Sequence, residues 1–373
     1  MARYFDPAVW QTVPFHFWSL VSFTLGSIVG SFLNVCIHRI PRGMSLVSPP
    51  SHCPHCGYSI PWSLNVPLVT WVWLRGRCAN CRAPVSVRYF IVELLTGLLF
   101  LGSWLVAGRQ SVLLALVYCL VLSGLVVATF IDFEHFIIPD EITLGGMGAG
   151  VLCSVAVPAL QGEKWYLPAL LQSLVGLAVG GGVVYLILRG GKLLFGKHQR
   201  DLPPGTRVIF TETSLVLPDE EIPYEELFYR KTDFIEFEAK TLELVDRGYK
   251  NVTVRLTPTE LRIGDEVLNP EDVPHMEAVV DQIVLPREAM GFGDVKFMAA
   301  IGAFLGWQAT IFSLLVSSII GATVGLTLIL LRKREWTSRL PYGPYIALAA
   351  ASWIFGGHRL AAWWLEHFAW GPR

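Results

Sequence analysis

Charge is the scarcest ingredient of this chain. Only 16% of its 373 residues are Asp, Glu, Lys or Arg, against about a quarter in ordinary soluble domains, which excludes a single water-facing globule. Acidic residues are rarer still outside one stretch: 20 of the 30 fall between 198 and 288, and segment 38–88 has none. A cleavable leader is not expected either. The first apolar run lacks a basic start followed by a small-residue cleavage site, and Asn34, His38 and Arg39 close it, so it is read as retained. No glycine-rich strand–turn–helix fingerprint for a nucleotide-like cofactor is found.

What fills the chain instead is apolar: 53% of the residues are hydrophobic. Roughly 20 apolar residues cross the hydrocarbon core of a bilayer. Eight such runs are read, at about 16–37, 88–107, 111–131, 141–160, 168–188, 292–307, 309–331 and 344–365. Their connections differ sharply in Lys and Arg. Loop 38–88 holds Arg39, Arg42, Arg75, Arg77, Arg82 and Arg88. The segment after the fifth run opens with Arg189, Lys192, Lys197 and Arg200, and the loop after the seventh holds Arg332, Lys333, Arg334 and Arg339. The alternate connections carry only Arg109 and Lys164. The positive-inside rule places the basic loops in the cytoplasm and both termini outside.

The expected fold is a polytopic α-helical membrane protein of about eight transmembrane helices, with a cytoplasmic zinc-binding loop and an inserted cytoplasmic β-rich domain. Its boundaries are 1–37 for the first membrane segment, 38–88 for the loop, 89–190 for helices two to five, 191–288 for the insert and 289–373 for helices six to eight. Within the insert, Val208–Glu220 aligns with Val254–Glu266 at an offset of 46, each copy reading as two short strands around a turn. Either a true duplication or two hairpins of common composition accounts for that match. The stretch Lys197 to Pro204 reads as a polar linker.

Four of the seven cysteines form two knuckles, Cys53-Pro-His-Cys56 and Cys78-Ala-Asn-Cys81, separated by 21 residues. Four thiolates suffice for a tetrahedral structural zinc, which would organise a loop too small to build its own core. A reducing cytoplasm argues against disulfides here. His52 and His55 are read as flanking residues and not as ligands. Cys36, Cys119 and Cys153 lie in apolar runs and are read as buried hydrophobes.

Ionisable residues at membrane depth are functional candidates by default. Outside the insert, Glu93, Asp132, Glu134, Asp140, Glu141 and Asp294 lie in or at the edge of a run near the cytoplasmic face. Asp132 ends the third run, which travels inward, and Asp294 opens the sixth, which travels outward. Both therefore reach the same edge of the membrane. Two neighbouring aspartates share a proton, one member activating water while the other polarises a carbonyl. Gly291 and Gly293 allow backbone to approach closely. Asp140, after Pro139, reads as a helix cap, and Glu134 and Glu141 as interfacial. Glu93 is expected to pair with an arginine such as Arg88 or with a polar group of the loop. Lys296 either tunes the carboxylates or anchors at headgroup level. A transporter with a carboxylate site and a non-enzymatic assembly scaffold are the competing readings.

The same residues resemble a known family. Ile131-Asp132 through Pro139-Asp140, Gly291-Phe-Gly-Asp294-Val-Lys296, Gly30-Ser-Phe-Leu-Asn34 through Arg39-Ile-Pro41, and Pro341-Tyr-Gly-Pro344 resemble, in combination and order, motifs of the bifunctional prepilin leader peptidase and N-methyltransferase family. The resemblance covers about 1–190 and 289–365. It implies an intramembrane aspartyl protease of the bacterial inner membrane that cuts type IV prepilins and type II secretion pseudopilins on the cytoplasmic side. It also implies methylation of the new N-terminus with S-adenosylmethionine. Asp132 and Asp294 match the catalytic aspartates, with Gly291, Gly293, Lys296, Asp140 and Glu134 supporting the site. Membrane lipid and prepilins are the implied partners, and nucleic acid is not expected; the insert 198–288 departs from the family pattern and either attracts basic leaders, docks a cytoplasmic component of the pilus machinery or is a tolerated insertion. The methyltransferase residues are not located by the sequence, although loop 38–88 stands on the active-site face.

Overall fold

The computed structural model describes residues 15–195, 197–218, 220–228, 233–286, 291–331, 340–364 and 366–367. The basic cluster Arg332, Lys333, Arg334 and Arg339 lies outside these. The chain divides into two compact units, one of residues 1–185 with 292–373 and one of residues 186–291.

The first unit is helical. Its long helices are α1 (Phe15–Arg39), α3 (Val87–Ser103), α4 (Val112–His135), α5 (Asp140–Ala156), α6 (Tyr166–Phe195) and α8 (Phe292–Leu330). Shorter ones are α2 (Val69–Trp73), α9 (Gly343–Ser352) and α10 (His358–Trp364), while α7 (Tyr224–Leu227) belongs to the second unit. In hydrocarbon every backbone N–H and C=O must be satisfied within the segment, so an apolar run of this length becomes a helix. Among the described residues, five helices are long and apolar enough to cross a membrane: His16–Arg42, Val87–Gly108, Val112–His135, Tyr166–Gly191 and Phe292–Leu330. The other apolar runs also lie in helices. α5 has 17 residues. The sixth and seventh runs share α8, which is broken at Gly306 by φ 81°, ψ 172°. The last run is α9 and α10 joined through a second irregular glycine, Gly356, at φ 131°.

The break at Gly306 is compensated. The carbonyl of Ala303 accepts hydrogen bonds from Ser154 Oγ at 3.2 Å, Ser173 Oγ at 2.7 Å and Gln161 Nε2 at 3.1 Å. That of Phe304 accepts from Gln161 Nε2 at 3.1 Å. Irregular backbone at membrane depth requires such partners. The first half of α8 is also pressed directly onto α6: a Cβ on Gly302 would lie 2.0 Å from the carbonyl oxygen of Gly176, and one on Gly176 would lie 2.1 Å from that of Gly302. Small residues let helix backbones meet this closely, and van der Waals contact drives helix association in lipid. This seating fixes the segment that carries Asp294.

Among the described residues, the second unit holds one antiparallel eight-stranded sheet. Its strands are β1 (Lys197–Phe210), β2 (Ser214–Val216), β3 (Glu221–Pro223), β4 (Ile235–Leu244), β5 (Gly248–Leu256), β6 (Leu261–Ile263), β7 (Glu266–Leu268) and β8 (Met276–Pro286), in the order β3-β2-β1-β8-β4-β5-β6-β7. One apolar cluster, including Val208, Phe210, Leu215, Phe237, Leu256 and Ile283, fills its core, with Phe210 and Phe237 stacked at 5.0 Å. The 46-residue offset recurs in the registers. Ile209 and Phe210 pair with Val216 and Leu215, as Arg255 and Leu256 pair with Arg262 and Leu261. Leu215 pairs with Ile222 as Leu261 pairs with Leu268. Thr211 and Thr257 hydroxyls both donate to the carbonyl three residues on, at 3.0 and 2.9 Å.

The polar stretch Lys197–Pro204 is not a linker. Lys197 to Asp201 pair with Pro286 to Gln282, and the ladder shifts between Asp201 and Thr206, where the two prolines sit. Proline within a sheet belongs at such an irregularity, since it has no N–H to donate.

The Gly176–Gly302 contact yields a stability test. Gly302→Val should lower the thermal midpoint of the detergent-solubilised protein by the equivalent of about 1–3 kcal/mol, the usual cost of overpacking. Gly148→Ala, where a Cβ meets nothing within 4 Å, should leave it unchanged.

Candidate active site

Asp132 lies in the last turn of α4 and is 5% exposed, while Asp294 lies in the first turn of α8 and is 9% exposed. A buried carboxylate needs donors. Asp132 Oδ2 accepts the backbone N–H of Gly343 at 2.8 Å. Gly343 is the first residue of α9, so its N–H is one of the orphan donors of a helix start. Asp132 thus caps α9 from a helix 211 positions away in sequence. Gly343 has no room for a side chain: a Cβ there would lie 2.8 Å from Asp132 Oδ2 and 3.2 Å from Ile138 Cδ1. Ile138 also meets the other half of the site, since a Cβ on Gly293 would lie 3.5 Å from Ile138 Cβ. One isoleucine, in the turn between α4 and α5, therefore lies against both the residue preceding Asp294 and the residue bonded to Asp132.

The remaining sequence candidates are distributed differently. Lys296 Nζ pairs with Asp140 Oδ1 at 2.6 Å and stands 5.3 Å from the centre of the Phe292 ring. Asp140 is not the cap of α5: Pro139 holds that position, and Asp140 is the first helical residue. Its ion pair instead ties the start of α5 to the start of α8. Glu134 pairs with Arg88, joining the ends of α4 and α3. Gly291 is exposed, and Gly293 is half-buried against Ile138. With Arg88 engaged by Glu134, buried Glu93 takes the loop option: its Oε2 accepts the N–H of Leu68 at 2.7 Å. Leu68 has φ 62° and opens α2, whose Trp71 ring lies 5.1 Å from that of Phe90 on α3. These contacts hold the cysteine-bearing loop to α3. The residues that sequence reasoning left without a role are Ile138, Tyr342 and Gly343. The Pro341-Tyr-Gly-Pro344 run flagged the last two, but a backbone donor leaves no side-chain signature.

The loop folds its two knuckles alike, at an offset of 25. Cys53 N–H donates to Tyr58 O at 2.9 Å and Gly57 N–H to Cys53 O at 2.9 Å; Cys78 N–H donates to Ala83 O at 2.9 Å and Arg82 N–H to Cys78 O at 3.1 Å. Gly57 and Arg82, at equivalent points, have φ 69° and 61°. The four sulfurs lie within 4.8 Å of one another, with Cys53–Cys81 at 3.8 Å and Cys56–Cys78 at 4.0 Å. Metal–sulfur bonds of about 2.3 Å in a tetrahedron put sulfurs about 3.8 Å apart, so the cluster could hold a metal ion. Backbone N–H groups of Cys81 and Asn80 directed at the Cys78 sulfur bring its thiol down to about 6, favouring the ligating thiolate.

Two family models match this chain: the Bacterial Peptidase A24 N-terminal domain over residues 24–107, and the Type IV leader peptidase family over residues 119–198 and 277–326. The first contains α2, α3 and the cysteine loop; the second contains Asp132 and Asp294. The chain belongs to the type IV leader peptidase family. The stretch 199–276, most of the sheet, lies between the two matched pieces. The chain is 29% identical to the prepilin leader peptidase/N-methyltransferase of Aeromonas hydrophila, over 95% of its own length and 96% of the relative's. It is 32% identical to that of Myxococcus xanthus, over 83% of its length and 62% of the relative's, and 26% identical to that of Pseudomonas aeruginosa, over 93% of each. No solved structure matches the chain.

The sulfur geometry sets a first measurement. Elemental analysis of protein purified without chelators under reducing conditions should give one metal ion per chain, and none in the Cys53→Ser/Cys56→Ser variant. Metal-free wild type would remove the assignment.

Proposed function

We propose that this family member is an intramembrane aspartyl endopeptidase of the bacterial inner membrane. It removes the leader peptide of type IV prepilins and type II secretion pseudopilins and N-methylates the new N-terminus. The observation that carries the protease is the burial of two carboxylates at helix ends, Asp132 and Asp294, with Ile138 set against the residue bonded to the first and the residue preceding the second. In this reading the two carboxylates act as a pair that holds a single proton between them. The ionised one takes a proton from water as its oxygen attacks the scissile carbonyl, while the protonated one donates to the carbonyl oxygen. Collapse breaks the C–N bond, and the proton gained from water passes to the leaving amine. The Gly343 N–H donates to Oδ2 of Asp132, which favours Oδ1 as the seat of a proton on Asp132. The scissile segment must be extended, because a helix hides its carbonyls in internal hydrogen bonds. The mature part of the substrate enters as an apolar helix in the bilayer, with the leader on the cytoplasmic side.

The eight apolar runs give eight spans in this reading, with α8 contributing two across Gly306. The metal of the loop is zinc, held by Cys53, Cys56, Cys78 and Cys81 as thiolates; bound there it supplies rigidity and leaves no position open for catalysis. The methyl donor is S-adenosylmethionine. The described residues single out no set that would hold it. The sheet unit is a cytoplasmic insert, and its acidic surplus suits attraction of basic leaders.

Two measurements test the reading. Asp132→Asn and Asp294→Asn should each abolish prepilin cleavage by purified enzyme in lipid while leaving its thermal midpoint in place; near wild-type cleavage by either would end the two-carboxylate assignment. Because Lys197 pairs with Pro286, the ends of the sheet unit lie only about 5 Å apart, so residues 197–286 can be replaced by a short Gly-Ser bridge. The shortened enzyme should still cleave but show a raised KM for basic-leader substrates at low salt, where attraction is least screened. An unchanged KM would reject the attraction.

A further inference from the structure

Building on the aspartyl protease reading, we propose that Tyr342 is a positioning residue for the cleavage reaction. Its hydroxyl latches the start of α9 to the second half of α8 and so holds the Gly343 N–H on Asp132. The hydroxyl lies 3.0 Å from Ser317 Oγ and 3.0 Å from Ser318 Oγ. Both serine hydroxyls are already committed as donors to the Leu314 carbonyl, at 3.1 and 2.7 Å. A serine hydroxyl has one proton to give, so the tyrosine O–H is the donor, shared between two serine acceptors. Ser317 is fully buried, and an apolar surround strengthens such a bond.

The seat for the ring is built as well. Gly321, one turn beyond Ser317, leaves room where a Cβ would lie 3.5 Å from the Tyr342 ring and 3.3 Å from that of Tyr345. The two rings meet edge to face at 6.3 Å. Tyr342 is the cap residue of α9, and its own carbonyl accepts from Tyr345 N–H at 3.1 Å and Ile346 N–H at 3.2 Å. Its hydroxyl is therefore fixed to α8 while its backbone is fixed to the first turn of α9. The next N–H along the chain is the one on Asp132 Oδ2. Freeing the ring lets that N–H swing, and with it the oxygen that must face the reacting water and carbonyl. Tyr342 acts through Gly343.

The test is steady-state cleavage of full-length prepilin by full-length enzyme in lipid nanodiscs, with the thermal midpoint measured alongside. Tyr342→Phe keeps the ring and removes only the donor. Its kcat should fall about ten- to a hundredfold, the scale of a small misplacement at a reacting centre, with KM within about twofold and the midpoint unmoved. Ser317→Ala/Ser318→Ala should reproduce the loss, and the triple variant should be no slower than either, because all three atoms make one latch. An unchanged kcat in Tyr342→Phe overturns the proposal, as does a loss of kcat that merely follows a fallen midpoint or multiplies in the triple variant. Asp132→Asn and Asp294→Asn run in the same assay separate the two levels. If they are inactive while Tyr342→Phe is unimpaired, only the latch is lost; if they cleave, the protease reading beneath it fails too.

Discussion

A carboxylate withdrawn from water must be given donors, and in a membrane-embedded helix the neighbouring backbone has none to spare. That constraint organises the helical unit. Asp132 meets it by taking the first N–H of α9, so two needs are met together: the carboxylate gains a charge-assisted hydrogen bond, and the helix start gains a cap. The arrangement requires a glycine at 343, because any Cβ would enter the carboxylate. It also requires α9 to begin where it does, and the Pro344 that follows suits the first turn of a helix.

The second carboxylate is placed by shape. Asp294 opens a helix whose first half is sunk against α6 through paired glycines and whose broken end at Gly306 is satisfied by Ser154, Gln161 and Ser173. Those polar contacts are buried and distant in sequence from the aspartate, yet they fix the axis along which it is presented. The Lys296–Asp140 pair adds a tie between the same helix and the Pro139 turn that holds Ile138.

Much of this was written in the sequence because hydrocarbon leaves few alternatives. The first seven apolar runs each became a helix or half of one and the eighth became two, and the gap between the runs ending at 307 and starting at 309 marks a real interruption at Gly306. The alternating residues of 208–268 became strands whose registers repeat at the offset of the sequence match. The paired CxxC spacing brought four sulfurs together. What could not be read was pairing between groups of similar local pattern. Lys296 stands two residues from Asp294 but bonds Asp140, and of the two options open to Glu93 it is the loop, through the main-chain N–H of Leu68, that is used. Lys197–Pro204 looked like a linker because prolines and charges also suit loops; only the ladder with β8 shows that they pass through a bulged strand. Gly343 was visible as part of a motif, but its use of a backbone atom leaves nothing for residue chemistry to announce.

The bond between Asp132 and Gly343 also has a consequence for biosynthesis. Its partners are 211 residues apart, and ribosomes add about 5–20 residues per second. The aspartate is therefore made roughly ten to forty seconds before the helix start that caps it. During that interval α4 must be held in the translocation machinery or the bilayer with its carboxylate still hydrated or protonated. The surroundings of Asp132 described above are therefore complete only once α9 has been made.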